Sequence, residues 1–443
     1  MPNRVRPAQK GSGRGLQRWI GSSALRAVGT MAGATGLGQL AILATLPFIT
    51  RLYEPTAFGL HALLVSFVGV ATVGACLALE LAIVQSRTDD AADEICVAAL
   101  SSLPLTAGIS AVMFAALIGT GSFGYGGLPW WSVPVVAAMV FANGLYVASR
   151  YRLLREQRYK VLARATVVQG IGRSLAPLGW YVLLPTWAGL SLGELTGRLL
   201  GVRRLIAPLL AQLRSRPYWG SLDGWWTVVR RERRYTVFVL AAVLTDSLAS
   251  LLIAPLLANG YGSAAAGEYF LVAMVLVAPS ALIGTASADF IHARGALLNA
   301  GTPAEIPAFL RRAAGLLFVA GCAIYLPVYF LAPYVFPILF GARWTLIAPI
   351  AQAMTPFMIV AFFASPCSRL LLVLERPNLK VVSDVLRLVG TLVVLAGASA
   401  LGLPFERAMW ALAWFLAFSY GVYFLLTYSA AATVARATRR ATC

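Results

Sequence analysis

Apolar runs long enough to cross a lipid bilayer recur along almost the whole chain. A transmembrane helix needs about 20 consecutive, predominantly apolar residues. We therefore predict an all-α integral membrane protein with about twelve transmembrane helices. These runs fall at about 27–50, 60–84, 95–119, 128–148, 165–184, 186–202, 235–257, 267–291, 313–333, 345–368, 381–401 and 408–430 of the 443 residues.

Composition supports this interpretation and excludes several classes of enzyme. Hydrophobic residues make up 59% of the chain and charged residues only 12%, whereas roughly a quarter of the residues in a soluble domain are charged. No sizeable water-soluble catalytic domain fits between the runs. The five cysteines are scattered, and His61 and His292 lie far apart. No metal site, cofactor or catalytic triad is predicted, so we expect a protein that is not an enzyme.

The positive charge follows a membrane topology. A net charge of +19 is also compatible with nucleic-acid binding, but the basic residues alternate between rich and poor loops. With a cytoplasmic N-terminus, thirty of the 36 basic residues fall inside and three fall outside. This distribution predicts a multi-pass protein of the cell inner membrane with both termini cytoplasmic. Its basic loops would face an anionic inner leaflet, and no nucleic-acid partner is expected.

Two halves of the chain share weak internal similarity. Pro47, Tyr53, Ala57, Gly59 and Leu63 recur 208 positions later as Pro255, Tyr261, Ala265, Gly267 and Leu271. Repeats of six helices each have the same orientation and commonly meet at a central substrate site. We predict two pseudo-symmetric six-helix bundles around a central cavity. The expected division is a basic cytoplasmic segment 1–26, bundles at 27–202 and 235–430, a cytoplasmic connector 203–234 and a tail 431–443.

The connector mixes arginines with tryptophans. This composition is typical of a helix on the inner leaflet, but we favour a simple tether between the halves, with membrane attachment as a by-product. The tryptophans of the connector are Trp219, Trp225 and Trp226.

Several segments resemble bacterial polysaccharide-biosynthesis flippases, in collinear order over nearly the whole chain. The ordered set is more specific than any one segment. The chain is similar to the twelve-helix O-antigen-type branch of the multidrug, oligosaccharidyl-lipid and polysaccharide exporter superfamily. The segments are PFITRLYEPTAFG at 47–59, LELAIV at 79–84, AGEY at 266–269, ALIGTA at 281–286, LFGARW at 339–344 and SPCSRLLLVLERPNLK at 365–380.

The resemblance implies a flippase. Members of the superfamily branch move an undecaprenyl-diphosphate-linked oligosaccharide across the inner membrane, for assembly of O-antigen, capsule or exopolysaccharide. The implied partners are this lipid-linked substrate, protons or sodium as coupling ions, and polysaccharide polymerase or ligase machinery.

Two other functions stay open. One is a multidrug efflux antiporter of the same superfamily, which a cavity dominated by carboxylates would favour. The other is a membrane-embedded polysaccharide polymerase or ligase, which usually needs a large periplasmic loop. Every predicted outside loop is short, and this counts against an enzyme of that kind.

Arginines within the spans are candidates for binding the diphosphate. An ionisable residue at the centre of a span costs about 2.5 to 3.5 kcal/mol on insertion scales and must meet protein, water or a partner. Arg173 is the first candidate, because guanidinium can fork to phosphate oxygens; the alternative is an ion pair with an acid on another helix. Arg198 lies four residues after Glu194, so these two can neutralise each other. Arg387 lies three residues after Asp384, with the same ambiguity.

Acidic residues within the spans are candidates for ion coupling. Asp246 lies near the middle of its span without a basic neighbour on that helix, so it is predicted to bind a proton or sodium, together with Glu194. The alternative for Asp246 is a fixed pair with Arg173 or Arg198. Arg51, at the outer mouth of the first span, is a secondary substrate candidate. Four aromatic residues beside outer boundaries are expected in the interfacial belt: Tyr53, Trp130, Trp131 and Trp344.

Overall fold

The computed structural model describes residues 23–213 and 222–442, and those residues are almost entirely helical. The predicted basic segment over residues 1–22, and Arg214, Arg216 and Trp219 of the connector, lie outside the described residues. The helices are α1 Ser23–Leu52, α2 Pro55–Ala75, α3 Leu79–Gln85, α4 Asp89–Thr120, α5 Ser132–Arg155, α6 Tyr159–Leu183, α7 Trp187–Leu213, α8 Leu222–Arg231, α9 Leu240–Leu251, α10 Ile253–Tyr261, α11 Ser263–Pro279, α12 Thr285–Gly301, α13 Ile306–Phe340, α14 Ile347–Ser368, α15 Leu370–Val373, α16 Pro377–Ala400 and α17 Phe405–Thr442.

Two π-helical turns complete the long helices of the C-terminal part. One, Arg234–Val239, leads into α9, and the other, Ser280–Gly284, joins α11 to α12. Such turns occur frequently at functional sites.

Ten helical segments of the described residues are long and apolar enough to cross a membrane. The other two predicted spans correspond to α6 and α7, which have 25 and 27 residues. These two helices carry Arg173, Glu194 and Arg198, and their charged residues lower the hydropathy. The described structure therefore agrees with the predicted all-α membrane fold. Helix α7, which corresponds to the sixth predicted span, is longer than predicted. It continues past the predicted end at residue 202 to Leu213.

The helices form two lobes. Helices α1 to α7 pack against one another, and helices α9 to α17 form a second group. The largest contact between the lobes is made by α2, which packs on α11 near its start and on α9 further along. The loops at one end of both lobes carry few basic residues and include 53–54, 341–346 and 401–404. We call this end the Arg-poor end and the opposite one the Arg-rich end.

A ladder of glycines brings α6 and α7 together. Glycines recur every four residues along α7, and this spacing puts them on one helical face. A Cβ atom added at Gly197 would lie 2.3 Å from the Arg173 backbone nitrogen, and one at Gly193 would lie 2.6 Å from that of Pro177. Small residues let membrane helices approach closely. This close packing places Arg173 of α6 beside Glu194 of α7. The four glycines are Gly189, Gly193, Gly197 and Gly201.

Helix α8, the described part of the connector, packs on the start of α4. The Trp225 indole donates to the Ser102 hydroxyl at 2.9 Å, and Arg231 pairs with Glu94 at 2.8 Å. Trp226 stays 47% exposed, with Arg230 lying 4.8 Å from its ring centre. The helix is thus fixed to the N-terminal lobe and still presents an aromatic and a cationic side chain outward.

Candidate functional site

Arg173, Glu194 and Arg198 form one cluster in the N-terminal lobe. The Arg173 Nε atom lies 2.8 Å from one carboxylate oxygen of Glu194, and an Arg198 Nη atom lies 2.6 Å from the same oxygen. The Glu194 side chain is 8% exposed and that of Arg198 16% exposed, whereas Arg173 keeps 33%. Arg198 also donates to the side-chain oxygen of Asn143. The cluster carries two positive charges and one negative charge.

This N-terminal cluster borders a small space between the lobes. A cavity of about 50 Å³ is lined by Arg173, Glu194 and His61 from one lobe and by Phe270 and Met274 from the other. The His61 Nδ1 atom lies 3.0 Å from the Ser191 hydroxyl, which occupies that side of the ring. The cavity has room for about one or two water molecules, so a sugar cannot enter it in this conformation.

A second cluster lies in the C-terminal lobe. Arg387 contacts both Asp246 and Asp384, the latter at 3.5 Å. Lys380 lies 2.6 Å from Asp384 and 3.6 Å from Asp246. Arg387 also donates to the Tyr420 hydroxyl at 2.5 Å. The two positive and two negative charges of this cluster cancel.

Asp246 therefore has basic partners on a neighbouring helix. These are Arg387 and Lys380 of α16, not Arg173 or Arg198 of the other lobe. The Asp246 side chain remains 45% exposed, whereas Asp384 is 6% exposed. A carboxylate that is both paired and open to water can exchange its partner.

A cavity of ligand size lies next to this second cluster. It has a volume of about 560 Å³ and is lined mainly by the C-terminal lobe, with Val65 and Ser66 of α2 closing one side. Arg387 and Arg369 are its two cationic lining residues, and its aromatic residues include Phe270, Phe357 and Tyr420. The volume falls in the range of ligand pockets, about 300 to 1,000 Å³.

Arg369 was not among the predicted site residues. The sequence analysis counts it as a basic residue of an inside loop, but it lies directly after α14 and faces the cavity. Its guanidinium is 3.4 Å from Asp289, and both side chains are about half exposed. The sequence does contain one indication of its role: Arg369 lies within 365–380, a segment that resembles the flippases.

The remaining predicted residues lie at the Arg-poor end. Arg51 is exposed and donates to the Ile338 carbonyl oxygen at 3.1 Å, which links the two lobes. The predicted belt position of Tyr53 and Trp344 is wrong, because each is only 2% exposed. Their polar atoms bind backbone carbonyls of Pro177 and Thr50 inside the protein. Trp130 and Trp131 are exposed, as a belt requires.

The structure thus divides the predicted site residues into three places. Arg173, Arg198 and Glu194 share one cluster, Arg387 and Asp246 share another, and Arg51 lies apart from both. Within residues 23–213 and 222–442, no group of three or more His, Cys, Asp or Glu side chains is placed to hold a metal ion.

A family model described as polysaccharide biosynthesis protein matches residues 48–349. This match spans more than half of the chain. The chain belongs to the polysaccharide biosynthesis protein family. The matched region begins in α1 and ends in α14, so it includes the N-terminal cluster and part of the lining of the large cavity. Among curated proteins, none matches the chain.

Solved structures of the MOP superfamily have the same fold as this family member. The lipid II flippase MurJ in an inward closed conformation is similar with a TM-score of 0.71 at 11% identity, covering 91% of this chain and 87% of MurJ. An inward-facing multidrug resistance MATE transporter is similar with a TM-score of 0.62 at 14% identity, covering 91% and 95%.

A third similar structure is a MOP superfamily transporter from Pyrococcus furiosus, for which a reversed polarity of the binding pocket suggests a different function. Its TM-score is 0.59 at 14% identity, and the match covers 96% of this chain and 99% of that one. At these identities the likeness extends to the fold, which is that of a two-lobed membrane transporter.

Proposed function

We propose that this family member moves a polyprenyl-diphosphate-linked oligosaccharide across the inner membrane by alternating access. The observation that carries the proposal is the cavity of about 560 Å³ beside the interface of the lobes, with Arg387 and Arg369 in its lining. Guanidinium groups suit a diphosphate because they pair with phosphate oxygens through two donors. The polyprenyl tail stays in the bilayer while the charged head enters the cavity.

The sign of the cavity separates this function from the efflux of organic cations. Among the described residues that line it, two are arginines and none is a carboxylate. Asp246 is adjacent to the cavity through its contact with Arg387. Asp246 and Asp384 balance the charges of Arg387 and Lys380, but the charged groups that line the cavity itself are guanidinium groups. A diphosphate would meet a partner there, and a cationic drug would not. The lining therefore favours an anionic lipid over the antiporter alternative.

Arg387 is the principal substrate residue in this proposal. Its Nε atom is buried and has no hydrogen-bond partner among the described residues, so this donor can bind an oxygen once the side chains around it move. Its other nitrogens are held by Tyr420 and two carboxylates. Arg369 supplies the second positive charge.

The N-terminal residues have a later role in the cycle. Arg173 and Arg198 are expected to meet the head group after the lobes reorient, because their pocket is too small in the present conformation. Asp246 and Glu194 are the proposed coupling acids for protons or sodium. Arg51 would contact the head group at the mouth of the Arg-poor end. The bundles 27–202 and 235–430 are the proposed moving units, with the Arg-rich end and both termini in the cytoplasm.

The decisive experiment removes the gene and examines the lipids. We expect a polyprenyl-diphosphate-linked oligosaccharide to accumulate on the inner leaflet, detected by mass spectrometry of extracted lipids. The gene for the intact chain restores export, and the same gene carrying Arg387→Gln does not. Normal lipid-linked glycans combined with new sensitivity to organic cations would favour the antiporter and overturn the proposal.

A further inference from the structure

Three segments that resemble the flippases meet at the Arg-poor end, and the first of them also lines the small cavity beside the N-terminal cluster. They are 47–59, at the end of α1 and start of α2, 266–269 in α11, and 339–344 after α13. The first segment belongs to the N-terminal lobe and the other two to the C-terminal lobe. Their meeting point therefore closes the space between the lobes at this end.

Two glycines form the centre of this closure. A Cβ atom added at Gly59 would lie 1.8 Å from the Ser263 carbonyl oxygen, and one at Gly267 would lie 1.9 Å from the Pro55 carbonyl oxygen. Gly59 and Gly267 are equivalent positions of the internal repeat, as are Pro55 and Ser263. The two contacts are thus reciprocal, as expected where equivalent helices cross at a two-fold axis. Neither position accepts a side chain while the helices are crossed.

Trp344 covers the crossing from the C-terminal lobe. Its indole nitrogen donates to the Thr50 carbonyl oxygen at 3.0 Å, and its ring meets that of Phe58 edge-on at 5.0 Å. Both partners belong to the N-terminal lobe. The loop 341–346 that carries Trp344 therefore connects the lobes through a hydrogen bond and an aromatic contact.

Glu268 holds this loop in place. It follows Gly267 directly, it is 4% exposed, and its carboxylate accepts the Leu346 backbone N–H at 2.5 Å. Leu346 precedes the first residue of α14. A carboxylate at the start of a helix satisfies backbone N–H groups that have no partner within the helix. Glu268 thus connects the contact between Gly59 and Gly267 to the loop 341–346, which carries Trp344.

We propose that Gly59, Gly267, Glu268 and Trp344 form a gate that closes the cavity at the Arg-poor end and must separate for release of the substrate. Glu268 is a positioning residue in this gate, since it acts through the loop 341–346. The inference rests on the proposed transport cycle, in which the cavity opens to each side in turn. It assigns the glycine and glutamate of the segment 266–269 to the gate, not to substrate binding.

Cysteine accessibility tests the gate directly. Ser250 lines the cavity and is exposed to it, so Ser250→Cys reports access. A membrane-impermeant thiol reagent is applied to intact spheroplasts and, separately, to inverted vesicles. Labelling of the chain without Ser250→Cys is subtracted to remove the native cysteines. We expect little labelling from the Arg-poor side and clear labelling from the Arg-rich side.

Gly267→Ala in the reporter chain is expected to raise labelling from the Arg-poor side about tenfold, because the added methyl group opposes closure and shifts the population toward the open gate. Gly59→Ala should act in the same direction. Gly108→Ala and Gly315→Ala are the matched controls, since a Cβ atom at either position meets nothing within 4 Å. They should leave labelling unchanged.

Glu268 provides a second test that does not depend on a glycine. Glu268→Ala removes the acceptor for the Leu346 N–H and should raise labelling from the Arg-poor side. Glu268→Gln keeps a carbonyl oxygen there and should largely restore closure. Trp344→Phe keeps a ring against Phe58 but loses the donor to Thr50, so it should give an intermediate increase.

Unchanged labelling from the Arg-poor side in Gly267→Ala, Glu268→Ala and Trp344→Phe, with normal labelling from the other side, would overturn the gate. The normal labelling shows that these chains are folded and inserted. The assay needs no substrate, so it fails or succeeds independently of the lipid analysis. Expected labelling together with normal lipid-linked glycans in the deletion strain would retain the gate and remove the proposed substrate.

Discussion

The two charged clusters differ in charge, enclosure and access. The N-terminal cluster has one carboxylate between two guanidinium groups and borders a cavity of about 50 Å³. The C-terminal cluster has equal numbers of positive and negative groups and contributes Arg387 to a cavity of about 560 Å³. In the present conformation the first has almost no space beside it, whereas the second borders a cavity of ligand size.

This difference changes which arginine matters most. The sequence ranks Arg173 first because it lies deep in its helix without an acid nearby on that helix. The tertiary structure supplies the missing acid, Glu194, and leaves little space beside it. Arg387 has more partners but borders the larger space. We therefore place Arg387 before Arg173 as the proposed contact of the substrate.

The largest expected effect comes from removing the carboxylate of the N-terminal cluster. Glu194→Gln leaves two guanidinium groups without their shared counter-charge. Breaking a buried ion pair from one side costs about 3 to 5 kcal/mol. We expect the thermal unfolding temperature of the detergent-purified protein to fall by many degrees. Glu305→Gln, at an exposed position, is the control. An unfolding temperature equal to that of the control would show that the cluster does not stabilise the fold.

The second-largest effect is expected on export, which should differ between variants of the two clusters. Arg387→Gln should reduce the export of lipid-linked glycan at least about tenfold, equivalent to ~1.4 kcal/mol, since it removes a donor and a charge from the large cavity. Arg173→Gln should reduce export less, because Glu194 keeps Arg198 as a partner. Export is measured as labelled glycan reaching the outer leaflet. Equal losses in the two variants would break the distinction between the clusters.

A smaller effect concerns ion coupling. Asp246→Asn keeps the size of the side chain but removes the charge that faces Arg387 and Lys380. We expect slower export that no longer responds to proton or sodium gradients, measured in vesicles with imposed gradients. Asp223→Asn on α8 is the control outside the cluster. Export by Asp246→Asn with an unaltered ion dependence would assign coupling elsewhere, with Glu194 the next candidate.

The smallest effect is expected at Arg51. Its exposed guanidinium donates one hydrogen bond to Ile338 across the lobes, and a bond of this kind contributes about 1 kcal/mol at most when water competes for both partners. Arg51→Ala should therefore reduce export by about fivefold at most. A loss as large as that of Arg387→Gln would show that the contact of Arg51 with the head group contributes as much to export as that of Arg387.

Local features predict much of the fold. Apolar length predicts the spans, and spacing along one helix predicts the pair of Glu194 and Arg198 because residues four apart share a face. The repeated positions around Gly59 and Gly267 predict two equivalent halves. The glycine ladder of α7 is a further local feature that favours close packing against α6.

Other contacts needed the folded chain. The pairs of Arg173 with Glu194 and of Asp246 with Arg387 join different helices, and several arrangements of the same spans would have satisfied these charges. The burial of Tyr53 and Trp344 also depends on the meeting of the two lobes. Their position beside a span end is compatible with either an interfacial or an interlobe contact, because both environments combine apolar surface with polar partners.

The sequence by itself determined that this chain is an all-α, multi-pass membrane protein, and it predicted which charged residues fall within apolar helices. These properties follow from the cost of exposing polar groups to lipid, which acts on each helix separately. Only the tertiary structure decided which charges pair, where the large cavity lies and which residues of the two lobes meet at the Arg-poor end. Those properties arise from packing between helices that are distant in the chain. The hydropathy of a single helix carries no information about that packing.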